Sequence, residues 1–271
     1  MKNYIILALC IFLFSCNADQ SQTEGSQDGA GSGQESQTGK GGSTTRFTIV
    51  GDFLYVVENN QLKTFNIADD IEGPKLINTL DVSDELETIF PYAMNKNTVD
   101  EETVLLLGAI NGMHIYKINS DGTPNHGDQL VLTHARSCDP VIAQNGYAYV
   151  TLRGSSNGCS QGSNELQVLD ISQIELPSRE KIIPMDGPKG LSFSQDGNAL
   201  LICDKYSLKV FSLINPIEPE YIREYLSVQC DDILQFGDHY IATGTDLLEI
   251  YTFDSQTNSL KLEKDLLDTE L

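Results

Sequence analysis

Acidic residues recur immediately before apolar segments of the chain, and carboxylates grouped in this way can bind a cation or transfer a proton. Glu87 precedes IFPYAM, Asp139 precedes PVIAQ, and the pair Asp231 and Asp232 precedes ILQFG. If these segments line the centre of one domain, the carboxylates converge on one mouth of a channel, where carboxylate and carbonyl oxygens suit a hard cation such as calcium. The same residues could instead cap strands by accepting backbone N–H bonds. Both interpretations stay open at this point.

Other chemical motifs in the sequence are weaker. Residues 158–162 (GCSQG) match the G-x-S-x-G nucleophile motif, but they lie in a stretch rich in Ser and Gly and not between a strand and a helix, as that motif requires. The four histidines show no metal-ligand spacing, and the chain contains no Trp. The sequence therefore shows no convergent catalytic constellation.

Four cysteines remain once Cys10 and Cys16 are assigned to the N-terminal leader described below. They are Cys138, Cys159, Cys203 and Cys230. An even number of cysteines in an exported chain predicts disulfides. The predicted strand ends bring the first close to the second and the third close to the fourth, so we expect the pairs 138–159 and 203–230. Free buried thiols are the alternative.

A short strand-like pattern recurs five times after Arg46 and predicts the architecture that positions these residues. Its copies begin 51, 53, 42 and 40 residues apart, and no window sustains a helical period. The copies are Leu62–Ile67 (LKTFNI), Met113–Ile118 (MHIYKI), Leu166–Ile171 (LQVLDI), Leu208–Leu213 (LKVFSL) and Leu248–Phe253 (LEIYTF). Such a period, with one cluster of strands per repeat, is typical of a β-propeller.

Turn residues mark the same repeat independently. Gly51-Asp52, Asn145-Gly146, Asp196-Gly197 and Gly237-Asp238 each precede a strand rich in Tyr or Leu, as the turn of a two-stranded hairpin does. We therefore predict an all-β fold, a five-bladed β-propeller of four-stranded blades that forms one domain over residues 46–271. The predicted blades are residues 46–84, 85–136, 137–187, 188–229 and 230–271. A β-sandwich with accidental periodicity is the alternative.

Repeats three and four resemble the LVIVD-repeat propeller proteins. In repeat three the resemblance lies in CDPV at 138–141, GYAYVTLRG at 146–154 and LQVLDIS at 166–172. In repeat four it lies in the Asn-Pro and Glu-Pro dipeptides at 215–216 and 218–219, which follow the recurring segment. The resemblance implies an exported and often lipid-anchored propeller. Most members of that family have no assigned activity, so the resemblance implies fold and location more than function.

The N-terminal residues predict export and lipid anchoring. Residues 1–15 combine Lys2 with an apolar run of signal-peptide length. The segment Leu13–Cys16 (LFSC) resembles the lipobox of bacterial lipoproteins, in which the Cys is acylated. Residues 16–45 would then be the lipidated Cys16 followed by a disordered tether rich in Gly, Ser and Gln. We predict a bacterial outer-membrane lipoprotein on the cell-surface or periplasmic side; an ordinary signal peptide is the alternative.

The charge balance excludes one class of partner. The chain has 17 basic and 39 acidic residues and a net charge of −22, spread along its length. A nucleic-acid interface needs clustered Lys and Arg to displace counterions, so we expect no nucleic-acid partner. We expect a monomer whose contact with the membrane is its lipid anchor.

The sequence favours a non-enzymatic binding or scaffold module that recognises an envelope protein or glycan. The best candidate contact surface is the insertion between the second and third strands of repeat three. Its candidate contact residues are Arg153, Ser155, Asn157 and Asn164. One alternative is a channel-mouth hydrolase or lyase that uses the recurring acids with or without a metal. We expect no cofactor, and calcium is the alternative. A docking lipoprotein for envelope assembly is another alternative.

Overall fold

The computed structural model describes seven stretches of the chain. They are residues 38–39, 42–69, 71–95, 102–125, 130–133, 140–154 and 163–267. All of them belong to the second of two units, Ser36–Leu271. For 38–39 and 130–133 only the backbone is described.

In these residues the chain forms 21 strands in five separate antiparallel sheets, which we call blades. Blade 1 contains β1 (Thr38–Gly39), β2 (Phe47–Val50), β3 (Phe53–Glu58), β4 (Gln61–Asn66) and β5 (Lys75–Asp81). Blade 2 contains β6 (Leu86–Met94), β7 (Glu102–Ala109), β8 (Gly112–Lys117) and β9 (Leu130–Thr133). Blade 3 contains β10 (Val141–Gln144), β11 (Tyr147–Leu152), β12 (Glu165–Asp170) and β13 (Ser178–Pro184).

The last two blades repeat the four-strand pattern. Blade 4 contains β14 (Pro188–Phe193), β15 (Ala199–Asp204), β16 (Ser207–Ser212) and β17 (Glu220–Tyr225). Blade 5 contains β18 (Asp232–Phe236), β19 (His239–Gly244), β20 (Leu247–Asp254) and β21 (Ser259–Asp265). Within each blade the strands are hydrogen-bonded in sequence order. The predicted all-β fold is confirmed, and five sheets of this kind form a propeller-like structure.

The recurring segment forms the third of the four repeated strands in every blade, as predicted. In four blades the pairing of this strand with the outer strand shifts register at the same point, between the third and fourth residues of the segment. These points are Thr64/Phe65, Val168/Leu169, Val210/Phe211 and Ile250/Tyr251. Such a bulge increases the local twist of a strand pair. The outer edges of these blades therefore twist in a common way.

The hairpin turns that the sequence predicted are also present. Gly51, Gly146, Gly197 and Gly237 all have positive φ, between 56° and 85°. Asn145 has a φ of 50°, a conformation that Asn tolerates better than most residues with a side chain. These turns join the first and second repeated strands of blades 1, 3, 4 and 5. The turn residues of the sequence thus mark the first hairpin of these four blades.

Apolar residues fill the space between successive blades. Four buried clusters join blade 1 to 2, 2 to 3, 3 to 4 and 4 to 5. The middle strands of blades 2 and 4, β7 and β15, are buried on both sides and therefore read as continuous apolar runs. The corresponding strands of the two end blades, β3 and β19, alternate between buried and half-buried residues. Among the described residues, no buried apolar cluster joins blade 5 to blade 1.

A strap formed by Gly42–Thr45 connects blades that the chain itself does not join directly. Ser43 Oγ donates to Asp232 Oδ1 at 3.1 Å in blade 5 and accepts from the backbone N–H of Leu191 in blade 4 at 2.7 Å. The carbonyl of Thr45 accepts from Ile89 N in blade 2 at 3.0 Å. The described structure thus includes residues that the sequence predicted to be tether.

Within the described residues, no helical segment has the length and hydrophobicity needed to span a membrane.

Candidate functional site

Most of the candidate catalytic and binding residues lie at one end of the blades, which we call the upper face. Because the strands of a blade alternate in direction, the start of its inner strand and the turn between its second and third strands lie at the same end. Of the predicted channel-mouth acids, Glu87, Asp231 and Asp232 lie at this end, as do the described links between blades. The upper face is therefore where the candidate site is expected.

A cleft of about 330 Å³ opens on the upper face between blades 4 and 5. Its lining is mostly polar and comes from the inner-strand starts, the link between the blades and the turns after β15 and β19. The lining residues are Lys189, Lys205, Ser227, Gln229, Asp231, Thr245, Asp246 and Leu247. A cleft of this volume accommodates a small polar molecule.

Lys189 and Asp231 form an ion pair in this cleft. Lys189 lies at the start of β14 and Asp231 directly precedes β18. The backbone of Asp231 is fixed from both sides, because its N–H donates to Thr243 O at 2.6 Å and its carbonyl accepts from Gly190 N at 3.0 Å. Both charged side chains are partly exposed. The backbone at Asp231 is therefore held on both sides, and the side chains of the pair are open to a small molecule.

Lys205 brings a second cation to the cleft. It lies in the turn between β15 and β16, and its ammonium group is 4.7 Å from the centre of the exposed Tyr206 ring. Two lysines in one cleft stand out in a chain of net charge −22. They can hold negative charge that develops on a bound molecule while Asp231 supplies a carboxylate that accepts a proton.

The prediction that Asp232 lines the open mouth with Asp231 is wrong. Neighbouring residues of a strand point to opposite sides, and the Asp232 carboxylate is buried, where Ser43, Thr44 and the N–H of Ile233 donate to it. Burial raises the pKa of the Asp232 carboxyl, although these three donors oppose the rise. Gly190 packs so closely here that a Cβ would lie 1.9 Å from Asp232 Oδ1.

The remaining predicted acids do not assemble into a described ring. Glu87 is half-buried on β6, and Asp139 lies outside the described residues. Across the described stretches no group of three or more His, Cys, Asp or Glu side chains could hold a metal ion. The calcium hypothesis, which needs Asp139, stays a prediction.

The predicted disulfide between Cys203 and Cys230 is confirmed. It joins the end of β15 to the residue before Asp231, and both cysteines are buried. The bond closes a separation of 27 residues, which contributes about 3.5 kcal/mol in the chain-entropy model. The other predicted pair, Cys138 with Cys159, lies outside the described residues, as does Cys16.

The predicted contact loop is described only at its base. Asn164 Oδ1 accepts from Gly154 N at 3.1 Å, and its amide nitrogen donates to Asp186 O at 3.1 Å. Asn164 thus ties the base of the insertion to the link before blade 4, and Arg153 beside it is half-buried. Ser155 and Asn157 lie outside the described residues.

A buried pair on the upper face of blade 2 has a structural role that the sequence did not reveal. His114 Nε2 lies 2.9 Å from Asp84 Oδ2, and Asn111 Nδ2 donates to Asp84 Oδ1 at 2.9 Å. Burial lowers the pKa of His114, and Asp84 opposes that effect. His114 is the second residue of its recurring segment, and Asp84 lies two residues before β6.

Blade 4 repeats this arrangement with different residues. Lys209, the second residue of its segment, contacts Asp186 at 2.9 Å and Asp204 at 2.6 Å, and Asp186 lies two residues before β14. The sequence contains a pattern that predicts both pairs: a basic residue at the second position of the recurring segment, and an acid two residues before the inner strand of the same blade. The repetition shows that this position ties a blade to the preceding link.

Lys189 and Lys205 were also missed from the sequence. Repeats two, three and five have an acid at the start of the inner strand, whereas repeat four has Lys189 in that place. Lys205 follows the strand that ends at Asp204 and carries no motif of its own. The cleft forms where blades 4 and 5 pack together. The two lysines become candidate site residues only because blade 5 lies beside them.

No protein-family model matches the chain, and no curated protein matches its sequence. Solved structures do match its fold. A protein from Lactobacillus plantarum has 15% sequence identity and a TM-score of 0.60, with the match covering 80% of this chain and 73% of that one. The periplasmic gluconolactonase PpgL of Pseudomonas aeruginosa has 14% identity and a TM-score of 0.58, with coverage of 79% and 67%.

A third match is a Bacteroides uniformis protein provisionally named 6-phosphogluconolactonase. It has 14% identity and a TM-score of 0.59, with the match covering 79% of this chain and 68% of that one. The chain spans 66% to 73% of the length of such structures. At these identities the matches support the propeller-like fold, and they do not identify the chain as an LVIVD-repeat protein.

The comparisons correct the predicted function. The sequence favoured a binding or scaffold module without catalysis, whereas two of the solved structures with this fold carry gluconolactonase names. The prediction of a scaffold module without catalysis is therefore wrong. The chemistry must be argued from the residues of this chain, because one fold supports many activities.

Proposed function

We propose that the protein is a hydrolase that opens a sugar lactone in the cleft between blades 4 and 5. The observation that carries this proposal is the partly exposed Lys189 and Asp231 pair on the upper face. The substrate class is taken from the gluconolactonase names of the structural neighbours. The cleft volume of about 330 Å³ and its polar lining suit a ring of monosaccharide size.

In the proposed reaction a carboxylate acts as the base, and two ammonium groups are placed to stabilise negative charge. Water adds to the lactone carbonyl carbon as Asp231 accepts its proton, and Lys189 or Lys205 faces the negative charge on the carbonyl oxygen. The ring C–O bond then breaks, and the proton passes from Asp231 to the departing ring oxygen. A positioned base contributes about 10²- to 10⁴-fold to such a rate, and electrostatic stabilisation of the oxyanion contributes on the order of 10²- to 10³-fold.

Neutral polar groups complete the cleft. Ser227, Gln229 and Thr245 line it and can hydrogen-bond the hydroxyl groups of a sugar ring. Asp246 lies on the blade 5 side. This arrangement supports selection of a hydroxylated ring over an apolar ester.

The proposed location is the bacterial outer membrane, with Cys16 lipidated and the domain on the cell-surface or periplasmic side. The leader, the LFSC segment and the Gly, Ser and Gln composition of the following residues support it. Kinship to the LVIVD-repeat proteins belongs to the same proposal. The test is Cys16→Ser, which should release the protein from membranes and remove the acyl mass from its N-terminal peptide; retention on membranes would contradict the anchor.

The activity is tested with the purified full chain and sugar 1,5- and 1,4-lactones in a pH-stat. We expect acid release well above the uncatalysed rate for at least one sugar lactone, with saturation kinetics, and little effect on an acyclic ester without hydroxyl groups. The same chain unfolded in urea is the control. Acid release no faster than that control across the lactones would overturn the proposed function.

A further inference from the structure

We infer that the Cys203–Cys230 disulfide is a positioning element that sets the separation of the two walls of the cleft. Cys203 lies two residues before Lys205 on one wall, and Cys230 lies between Gln229 and Asp231 on the other. The Cα atoms of the two cysteines are 5.4 Å apart. The bond therefore joins the two walls of the cleft. The kinetic consequence of this inference rests on the proposed function.

The Asp231 wall has other ties to blade 4. Lys189 forms its ion pair with Asp231, and Gly190 N donates to the carbonyl of Asp231. Close packing of Gly190 on Asp232 adds a steric constraint. These contacts all involve β14, so they hold the Lys189 and Asp231 pair together whether or not the disulfide is present.

The Lys205 wall is held differently. Lys205 N donates to Gly187 O at 3.1 Å, and Gly187 N donates to Asp204 Oδ1 at 2.6 Å. These hydrogen bonds run within blade 4 and the link that precedes it. Two features tie this wall to blade 5, namely the disulfide at Cys203 and the buried apolar cluster in which that bond lies. Loss of the bond should therefore shift Lys205 and Gln229 relative to each other and leave the Lys189 and Asp231 pair in place.

This difference predicts a particular kinetic signature. Without the disulfide, KM for a sugar lactone should rise about tenfold because the two walls no longer hold the ring together, and kcat should change less than twofold. A disulfide that only stabilised the fold would lower Tm and leave KM unchanged. The two walls would then be held at their working separation only in a compartment that permits disulfide formation.

The test uses the full chain with Cys203→Ala and Cys230→Ala together. The matched control is Leu107→Ala, which removes a buried side chain from the distant cluster between blades 1 and 2. We expect both proteins to have a lower Tm and the cysteine variant alone to have a raised KM. A folded cysteine variant with wild-type KM would overturn the inference. If that variant does not fold, KM is measured on wild-type protein reduced with a phosphine, with the free thiols counted by alkylation and mass spectrometry.

A second measurement does not depend on substrate. Amide hydrogen exchange should increase in peptides that cover 203–208 and 226–231 in the cysteine variant, and should not increase there in Leu107→Ala. If these amides exchange faster while the wild type opens no lactone, the positioning role stands and the proposed function fails. If the wild type is active and neither KM nor exchange changes, the positioning role fails and the proposed function stands.

Discussion

Two side-chain pairs on the upper face each join an aspartate to a basic residue, and they differ in accessibility. His114 and Asp84, at the junction of blades 1 and 2, are 0% and 16% exposed, and Asn111 donates to the same carboxylate. Lys189 and Asp231, at the junction of blades 4 and 5, are 24% and 51% exposed and face a cleft. The first pair is largely buried, whereas the second is open enough to contact a ligand.

The difference separates a structural role from a chemical one. Removing one partner of a buried pair strands the other and costs about 3 to 5 kcal/mol of stability, whereas an exposed pair contributes about 0 to 1 kcal/mol. The blade 4 pairs of Lys209 repeat the first arrangement, so the Asp84 and His114 pair belongs to the blade architecture. This repetition supports a structural role for the His114 and Asp84 pair.

The largest expected effect is on catalysis. Lys189→Met removes the ammonium group and keeps the apolar stem, so kcat/KM for lactone opening should fall by about 10²- to 10³-fold as the developing oxyanion loses its charge partner. Stability should change by less than about 1 kcal/mol. The control is Lys181→Met, which breaks an exposed pair with Glu218 far from the cleft. Equal losses of activity in the two variants would remove the distinction between the cleft lysine and other surface lysines.

The next effect is on stability. Asp84→Ala leaves the buried His114 ring without its carboxylate partner, and the free energy of unfolding should fall by about 3 kcal/mol with kcat/KM unchanged. Urea denaturation of the two proteins measures the loss. Glu58→Ala is the control because it breaks the exposed pair with Lys63, the residue of blade 1 that corresponds to His114. An Asp84→Ala protein of wild-type stability would show that the buried pair is not a structural tie.

The smallest of the three effects concerns the strap and depends on pH. Ser43→Ala with Thr44→Ala removes two donors from the buried Asp232 carboxylate and should cost about 2 kcal/mol at pH 7. Because burial raises the folded pKa of Asp232, its protonated form is favoured in the folded state, and stability from this group declines as pH rises above the ordinary value of 3.8. The loss of the donors raises that pKa further, so the variant should be less impaired at pH 4.5 than at pH 7.

Urea denaturation at the two pH values measures this difference. Ser259→Ala, which removes an exposed hydroxyl bonded to Thr257, is the control and should show little change at either pH. An equal cost of the strap variant at both pH values would contradict the account of Asp232 as a buried carboxylate held by the strap.

Local patterns explain why much of the fold was predictable. The recurring segments and the turns at Gly51, Gly146, Gly197 and Gly237 act over a few residues, and alternation of apolar residues identifies the strands they join. The pairing of Cys203 with Cys230 was predicted because the end of the second strand of one blade and the start of the inner strand of the next lie on the same face. In each case a short segment carries the information.

The features that escaped prediction join residues far apart in sequence. Ser43 and Asp232 are separated by 189 residues. The sequence does not distinguish Asp232 from Asp231, and only the contact with the strap shows that Asp232 is the buried one. Lys189 becomes a candidate catalytic residue only when blade 5 places Asp231 beside it, 42 residues later. Long-range pairing, and the cleft that it creates, depend on how blades pack and not on a local motif.

The most direct test of the central claim compares Asp231→Asn with wild-type protein in the opening of D-glucono-1,5-lactone or of whichever sugar lactone the wild type opens fastest. The account predicts that kcat/KM falls by at least about 10²-fold while Tm stays close to wild type. Asp238→Asn, which alters an acid of the opposite face that accepts from Gln195, should retain wild-type kcat/KM. Wild-type activity in Asp231→Asn would contradict the assignment of the cleft as the reaction centre.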